Sequence, residues 1–600
     1  MWIKPKVDNR VHLHHYGDVP ANLNYSDVKS IGEVIFDSCE TYHDYVALKY
    51  ILSGNVHTEN YTKFAEQIEL AAKMLKLNGI NKGDRIMVLL PFLPEDYHII
   101  YAIAAVGATA VPIHPEIRVK SQLIEQIREV NPKMIICLDR NVQLLDSIFS
   151  EYKQLGERIH KVLYVKPVDS FKMNGIASVI NPIVDYKYQK SGEAPEKFNL
   201  TSNKFASYRA EINSAKNYQG TYMANVKPED DYAIYYTSGT SGKKPAGIIL
   251  SHANSFAYLK SGTAISNCVE PGDSVLNTPG PFHCFGAETG RNVTLASGAT
   301  QIIVPDPKKF KEIAAVMKSE KPSHVVSVPK LLNLYKESGL FDDICLDFVK
   351  SLICGGGKMG TATSEYWNAK LKHTQIREGY GSTQLCGGIC INTKTLQIPR
   401  TIGIPAPDVY FMLKDPETGE IINEPNKPGE LYVSSPTLMK GLLGNPNPDC
   451  LITDEDGVIW YKTNDLVSYD ENGWYTFIDR CDDIINLDSG NLVNPSKIED
   501  ILDKRGLETY VIFQTNNHPK NQGADRIVVA IEYAGDLEDI KLLQEVLEKD
   551  FADNLNKYEI PAEITVMDRL PINGNGKYKK RETIDKYFDG EFRLNLVLNR

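Results

Sequence analysis

The chain has 600 residues, more than one hydrophobic core usually holds, so two or more domains are expected. Its hydrophobic content of 42% and charged content of 24% are ordinary for a globular protein, and a net charge of −11 offers no electrostatic footprint for nucleic acid or an anionic membrane. Ten cysteines without C-x-x-C pairs suggest reduced thiols and a cytoplasmic location.

The start, Met1-Trp2-Ile3-Lys4-Pro5-Lys6, runs into polar residues and three histidines, unlike a signal peptide. Ile31 to Phe36 is read as the beginning of a helix. Tyr61 to Leu77 has apolar residues at helical spacing, Asp84 to Leu90 reads as a strand, and Tyr97 to Val106 as a helix. The longest apolar stretch, about Ile99 to Ile113, is broken by Gly107 and Pro112 and is shorter than the ~20 residues of a spanning helix, so no transmembrane segment is expected. A strand near Gly107 to Ile113, a helix from Lys120 to Val130 and a strand from Met134 to Leu138 continue the alternation. Such alternation predicts an α/β fold with mostly parallel sheets covered on both faces.

From about 165 to 230 the pattern fades into Asn-, Lys- and Tyr-rich sequence, read as a surface excursion. Tyr232 to Tyr236 is a strand, and it leads into Thr237-Ser238-Gly239-Thr240-Ser241-Gly242-Lys243-Lys244. Two glycines allow a tight backbone, four hydroxyls add donors and two lysines add positive charge, which together suit a polyphosphate. The usual P-loop spacing is absent: Thr237 stands where the first Gly belongs, and Lys244 where a hydroxyl should follow. Alone, the segment is equally compatible with a plain turn.

Strands follow at Thr300 to Val304, His324 to Val328 and Val349 to Cys354. Gly355-Gly356-Gly357-Lys358-Met359-Gly360 then fits G-x-G-x-x-G, with a helix expected from Thr363 to Leu371 and Glu378 beyond it, so a nicotinamide-dependent oxidoreductase is a second reading. From Gly429 to Val433 short alternating strands take over. Past Asp479-Arg480-Cys481-Asp482-Asp483 comes a small α+β unit with helices near Ser496 to Asp503 and Leu537 to Lys549 and a strand from Arg526 to Ile531. Expected boundaries are 1–479 for the large N-terminal part, 480–483 for a hinge and 484–600 for a C-terminal lid.

Five motifs occur in one order: the loop from Thr237 to Lys244, Glu378-Gly379-Tyr380-Gly381-Ser382-Thr383-Gln384, Tyr461-Lys462-Thr463-Asn464-Asp465-Leu466, Asp479-Arg480, and Pro571-Ile572-Asn573-Gly574-Asn575-Gly576-Lys577. Together they resemble the adenylate-forming superfamily of acyl-CoA synthetases, peptide-synthetase adenylation domains and luciferases, from about residue 60 to about 580. The resemblance implies a large layered α/β domain with a small β-rich subdomain and a small mobile α+β C-terminal domain. It implies attack of a carboxylate on the α-phosphate of ATP, loss of pyrophosphate, and capture of the acyl-adenylate by the thiol of coenzyme A or of a phosphopantetheine. Such a reaction needs positioning and charge neutralisation.

By the same resemblance Thr237 to Lys244 would hold the β- and γ-phosphates, with Thr240 catalytic. Gly355, Gly356 and Gly357 would lie against adenine, and Glu378 to Thr383 would complete the nucleotide site. Asp465 would accept from the ribose hydroxyls, Arg480 would pair with ribose or phosphate, and Lys577 would be the catalytic lysine of the first half-reaction. Asp482 matches the pivot, Ser489 and Gly490 lie on the thiol-acceptor side, and Phe282, His283, Gly286, Gly387 and Gly388 would border the acid. Gln384 stands where a Mg²⁺-holding Glu is usual, Ala246 where Lys is usual, and Asn464 and Asp479 replace glycines. These departures keep a catalytically silent nucleotide binder as a third reading. No carboxylate in Phe282-His283-Cys284-Phe285-Gly286 could anchor an amino acid's ammonium, so a fatty or other hydrophobic acid passed to coenzyme A is favoured. Loading of an acyl carrier protein is the alternative, because Asn575-Gly576-Lys577 is similar to enzymes that do so.

Overall fold

A computed structural model describes residues 2–6, 10–117, 119–171, 181–190, 194, 198, 200, 202–237, 245–266, 268–481, 485–487, 492–493, 495–507, 509–515, 518, 520–521, 526–533, 535–572 and 578–598. Two large, mostly parallel sheets dominate it. In the eight-stranded sheet, Phe205–Ser207, Lys161–Val165, Met134–Leu138, Arg85–Leu89, Thr109–Pro112 and Asp231–Tyr236 run parallel in that spatial order, and Gly247–Ser251 and Gly441–Leu442 finish one edge antiparallel. The central strands Met134–Leu138, Arg85–Leu89 and Thr109–Pro112 are almost wholly apolar because both their faces are buried.

The nine-stranded sheet has a parallel centre of Val46–Leu52, Thr300–Ile303, Ser274–Asn277, His324–Ser327, Ser351–Gly355 and Ile376–Ser382. Asn55–Asn60 closes one edge as a hairpin, while Gly387–Ile391 and Ile404–Pro405 close the other. Between the sheets lie helices whose starts the sequence marks: Ser30 makes a reciprocal capping box with Glu33 for Ile31–Thr41, and the Asn60 side chain caps Tyr61–Leu77. The helix Pro94–Ala105 is buried along its whole length, so it has almost no polar face to give its period away.

An antiparallel six-stranded sheet built on Tyr410–Lys414, Gly429–Ser434, Ile459–Tyr469 and Tyr475–Arg480 packs into the same core. Further along, Tyr510–Gln514, Ile527–Glu532, Glu563–Met567 and Leu594–Val597 form a separate four-stranded sheet that shares a core with helices Pro495–Lys504 and Leu537–Asn554. Among the described residues no helix is long and apolar enough to cross a membrane.

The surface excursion expected over about 165–230 needs correcting. Phe205–Ser207 pairs parallel with Lys161–Val165 as an edge strand, Tyr208 is buried, and the buried Tyr188 donates its hydroxyl to the Asp139 carboxylate at 3.1 Å. A three-residue edge strand is too short for alternation to register, and tyrosines in a polar setting conceal how much area they bury.

Candidate active site

The parallel strands of the nine-stranded sheet end in register, Ser327 beside Cys354 and Gly355 beside Gly379. In open α/β sheets this carboxyl edge is where ligands bind. Here it opens into a cavity of about 1990 Å³ whose rim includes Thr278, Gly355, Gly356, Gly357 and the run from Gly379 to Gln384. Gly381 is required by a close approach, since a Cβ there would lie 1.8 Å from the Gly387 carbonyl oxygen on the paired strand. Glu378 of the same strand is not on the lining; burial pushes its carboxyl up to about 7.

At one side of the cavity the Tyr380 hydroxyl donates to Asp465 Oδ2 at 2.5 Å, and Arg480 Nε stands 2.8 Å from Asp465 Oδ1. Asp465 and Arg480 are cross-strand partners. The Asp465 backbone N–H donates to Thr463 Oγ at 3.1 Å, and the Thr463 hydroxyl in turn donates to the Leu431 carbonyl at 2.8 Å. Asn464 between them has φ of +64°, the left-handed conformation that a glycine would occupy at no cost and that Asn tolerates better than most residues. A carboxylate so fixed presents acceptors to a diol, with a guanidinium beside it for an anion.

A second arm of the cavity runs down the sheet face. Val326, Ile353 and Val275 line it from the strands, and Tyr258, Gly262 and Ile265 line it from one stripe of the helix His252–Ser266. The opposite wall is Phe285, Thr289 and Val293, on or just after a π-helical stretch Phe285–Asn292. Such widened turns are rare and cluster at functional sites. Phe282, His283, Gly387 and Gly388 also line the cavity, and the Phe282 ring lies 4.2 Å, centroid to centroid, from that of His114. Gly387 has φ of +127°, and a Cβ there would come within 2.9 Å of the Tyr258 ring. The space left by Gly387 is therefore taken by Tyr258, whose hydroxyl accepts from the Gly388 N–H at 3.3 Å and shares a hydrogen with Thr289 Oγ at 2.5 Å. Gly286, between the lining residues Phe285 and Thr289, is not itself on the cavity wall. A Cβ there would meet the Pro279 and Gly280 carbonyls at 2.3 and 2.5 Å, so it is glycine for packing.

Of the glycine- and hydroxyl-rich loop, Thr237 lines the cavity. Its N–H donates to the Ala246 carbonyl at 3.0 Å and its hydroxyl accepts from the Ala246 N–H at 3.1 Å. Ser238, Gly239, Thr240, Ser241, Gly242, Lys243 and Lys244 lie outside the described residues, as do Asp482, Ser489, Gly490 and Lys577. Ile572 and Tyr578, on either side of 573–577, bridge one another and both line the cavity, and Lys330 Nζ sits 4.1 Å from the centroid of the Tyr578 ring. Burial lowers the Lys330 ammonium's pKa. Lys358, next to the three glycines, reaches Glu499 at 2.8 Å and Asp500 at 3.4 Å on the helix Pro495–Lys504.

Comparison with known proteins gives this geometry its setting. Residues 35–443 match the model of the AMP-binding enzyme family. The chain belongs to that family. A long-chain-fatty-acid–CoA ligase of Escherichia coli O6:H1 is 26% identical over 592 residues, covering 96% of this chain and 98% of that relative. A luciferin 4-monooxygenase of Photuris pensylvanica is 26% identical over 486 residues, 78% of this chain and 80% of the relative. Two solved structures share the fold: an anthranilate CoA ligase, AuaEII, in complex with anthranoyl-AMP, with TM-score 0.74, 16% identity and 94% and 98% coverage of the two chains, and ATP-bound MatB from Rhodopseudomonas palustris, with TM-score 0.73, 18% identity and 94% and 100% coverage.

Membership of the AMP-binding enzyme family sets aside the oxidoreductase reading of Gly355 to Gly360. That strand, loop and helix form as the pattern requires, but they sit near the centre of the second sheet, where the loop borders the cavity. Several cavity residues escaped the sequence reading: Tyr258, Thr289, Lys330 and Tyr578. A stripe of Tyr258, Gly262 and Ile265 at helical spacing was the one available signal, and it is indistinguishable from ordinary helix packing until the opposing wall is known.

Proposed function

We propose that this protein is an acid–thiol ligase that activates a hydrophobic carboxylic acid as an acyl-adenylate, releasing pyrophosphate, and passes the acyl group to coenzyme A. One observation carries the reading: a single cavity joins a polar end, holding Tyr380, Asp465 and Arg480, to an apolar arm along the sheet face. A ribose fits the first, and a hydrocarbon chain the second, with the carboxylate at their junction near the Gly379 to Thr383 turn. Sequence relatives spanning nearly the whole chain carry fatty-acid–CoA ligase names, which supports the same reading.

ATP binds in this proposal with its ribose hydroxyls donating to Asp465, its base beside Tyr380 and the Gly355 to Gly357 loop, and its phosphates toward Thr237 to Lys244. Asp465 is already oriented by Tyr380 and Arg480, so little ordering remains to be done when nucleotide arrives. Thr240 and Lys577 are proposed to hold phosphate charge during carboxylate attack. Among the described residues no group of three His, Cys, Asp or Glu could hold a metal. Mg²⁺ would therefore arrive with the phosphates and take at most a neutral oxygen from Gln384, keeping most of its waters. Coenzyme A would then approach from the side of Ser489 and Gly490, with Asp482 as pivot for the unit that follows it. Carrier-protein phosphopantetheine is the second acceptor to be tested.

Carboxylate-dependent ATP–pyrophosphate exchange, measured over acids of increasing chain length, tests the reading. Exchange should appear with an apolar acid and fall by about a thousandfold or more in Lys577→Ala, the scale seen when a transition-state charge donor is lost. Absence of exchange with every acid, despite ATP binding, would leave the protein a nucleotide binder and remove the proposal.

A further inference from the structure

The helix His252–Ser266 runs the length of the apolar arm, and contacts at two points fix it against the nine-stranded sheet. Near the nucleotide end the Tyr258 hydroxyl accepts from the Gly388 N–H at 3.3 Å, and Gly388 is the register partner of Gly381 on the strand Ile376–Ser382. Just past the other end of the helix, Arg377 Nη1 approaches Cys268 Sγ at 3.4 Å, and Arg377 stands four residues before Gly381 on that same strand. Four strand residues advance ~13 Å and ten helical residues ~15 Å, so helix and strand run side by side in opposite directions for about that distance.

Tyr258, Gly262 and Ile265 face the arm on successive turns of that helix, and Val269 follows beyond its end. Nothing around Gly262 requires a glycine. It stands inside a helix, without a positive φ, where glycine is less favourable than alanine. Among the described residues, a Cβ built there would meet only two carbons of the Tyr258 ring, at 3.8 and 3.9 Å, which is ordinary van der Waals contact. Gly286 and Gly290 on the facing wall differ: a Cβ on the first would lie 2.3 Å from the Pro279 carbonyl oxygen, and one on the second 2.1 Å from the Asn277 side chain. Those two are glycine for packing, whereas the side chain missing at Gly262 leaves open space in the arm. One turn earlier the two helical walls close on each other, where Tyr258 and Thr289 share a hydrogen at 2.5 Å. Beyond Gly262 the lining is apolar, with Ile265, and with Val269 and Phe285 packed on Val275 and Val326.

We infer that Gly262 sets the acyl-chain length this protein accepts, its bare backbone being the passage by which a hydrocarbon chain gets beyond Tyr258. The carboxylate, placed at the Gly379 to Thr383 turn, is level with Tyr258, because Gly388 beneath the phenol is paired with Gly381. Gly262 lies about one turn, ~6 Å, further along the helix, and Ile265 ~10 Å. An extended chain advances ~1.2 Å per bond, so about the sixth carbon passes Gly262 and about the tenth reaches Ile265. A chain of four carbons stops short of the passage and leaves the apolar lining beyond it uncovered. Each methylene past Gly262 instead buries apolar surface on both sides. The inference rests on the ligase reading above and narrows its substrate to an acid of about eight carbons or more.

ATP–pyrophosphate exchange with butanoic and decanoic acids, in the wild-type protein, Gly262→Ala and Gly262→Leu, decides the matter. The wild-type protein should favour decanoic over butanoic acid by about a hundredfold or more in kcat/KM. Gly262→Leu fills the passage and should lower that ratio by about tenfold or more. Gly262→Ala should have an unfolding midpoint equal to that of the wild type or up to about 1 °C higher, since its added carbon displaces nothing and favours the helix. If Gly262→Leu does not fold, Gly262→Ala carries the test, with the ratio lowered by about threefold or more. An unchanged ratio in folded Gly262→Leu, a wild-type preference for butanoic acid, or a midpoint lowered by more than about 1 °C in Gly262→Ala would overturn the role of Gly262 while leaving the ligase reading intact. No exchange with any acid would overturn both.

Discussion

Tyr380 and Asp465 are 85 residues apart, and the phenol of one donates to the carboxylate of the other at 2.5 Å. The contact ties the last parallel strand of the nine-stranded sheet to the long antiparallel strand Ile459–Tyr469, so two sheets fix one carboxylate in the cavity. Hydrogen bonds to charged groups contribute about 1.5–3 kcal/mol. Tyr380→Phe should therefore raise the KM for ATP about tenfold or more while leaving the KM for the acid nearly unchanged. Steady-state kinetics with each substrate varied would check this, and an ATP KM within twofold of wild type would show that Asp465 needs no such support.

Gly381 and Gly357 should respond in opposite ways to the same change. A Cβ on Gly381 meets the Gly387 carbonyl oxygen at 1.8 Å, whereas one on Gly357 meets only Pro329 side-chain carbons at 3.8 and 4.0 Å. Gly381→Ala must push two paired strands apart, at a cost of about 3 kcal/mol or more. It should lower the thermal unfolding midpoint by about 3 °C or more, while Gly357→Ala leaves it within about 1 °C. Melting curves of the two variants would settle the comparison.

Glu378 should make stability fall as pH rises. Its carboxyl is raised from 4.5 to about 7 by burial, so between those values the folded chain keeps a proton that the unfolded chain has lost. Stability is then fully retained below the unfolded pKa and diminishes up to about pH 7, by about 2 kcal/mol after allowance for partial exposure. Glu378→Gln should flatten that segment of the profile. Denaturant unfolding at pH 5 and pH 7.5 would reveal it as a smaller difference between the two midpoints in the variant, and an unchanged difference would rule Glu378 out as its source.

Lys358 bridges the glycine loop to Glu499 and Asp500. At partial exposure the pair adds about 1 kcal/mol or less, too little to matter for folding; if the C-terminal unit turns about Asp482 as proposed, it is enough to shift the balance between its two placements a few-fold. Lys358→Ala and Glu499→Ala should each slow pyrophosphate exchange by about two- to fivefold, with a smaller effect on thioester formation from preformed acyl-adenylate. Equal effects on both half-reactions would mean that the bridge favours neither placement.

Much of this protein is legible in its residue order because local physics fixes it. Helices Tyr61–Leu77 and Lys120–Val130 and strand Met134–Leu138 appear at the boundaries their periodicity predicts. Elements that the tertiary structure decides lack such marks. Residues 10–16 carry little pattern of their own, yet they pack on Gly473 and Trp474. Gly473 has φ of +82°, and a Cβ there would come within 2.7 Å of the His12 amide nitrogen.

The sequence alone determined the ordered motifs and therefore the family, since turns, glycines and charged residues at fixed spacing reflect backbone needs that hold wherever the chain folds. Only the tertiary structure decided which side chains meet. It brings Asp465 to Tyr380 and Arg480 and sets Tyr258 over Gly387. Those encounters depend on strand order and register, which link residues far apart in sequence, and no local period records them.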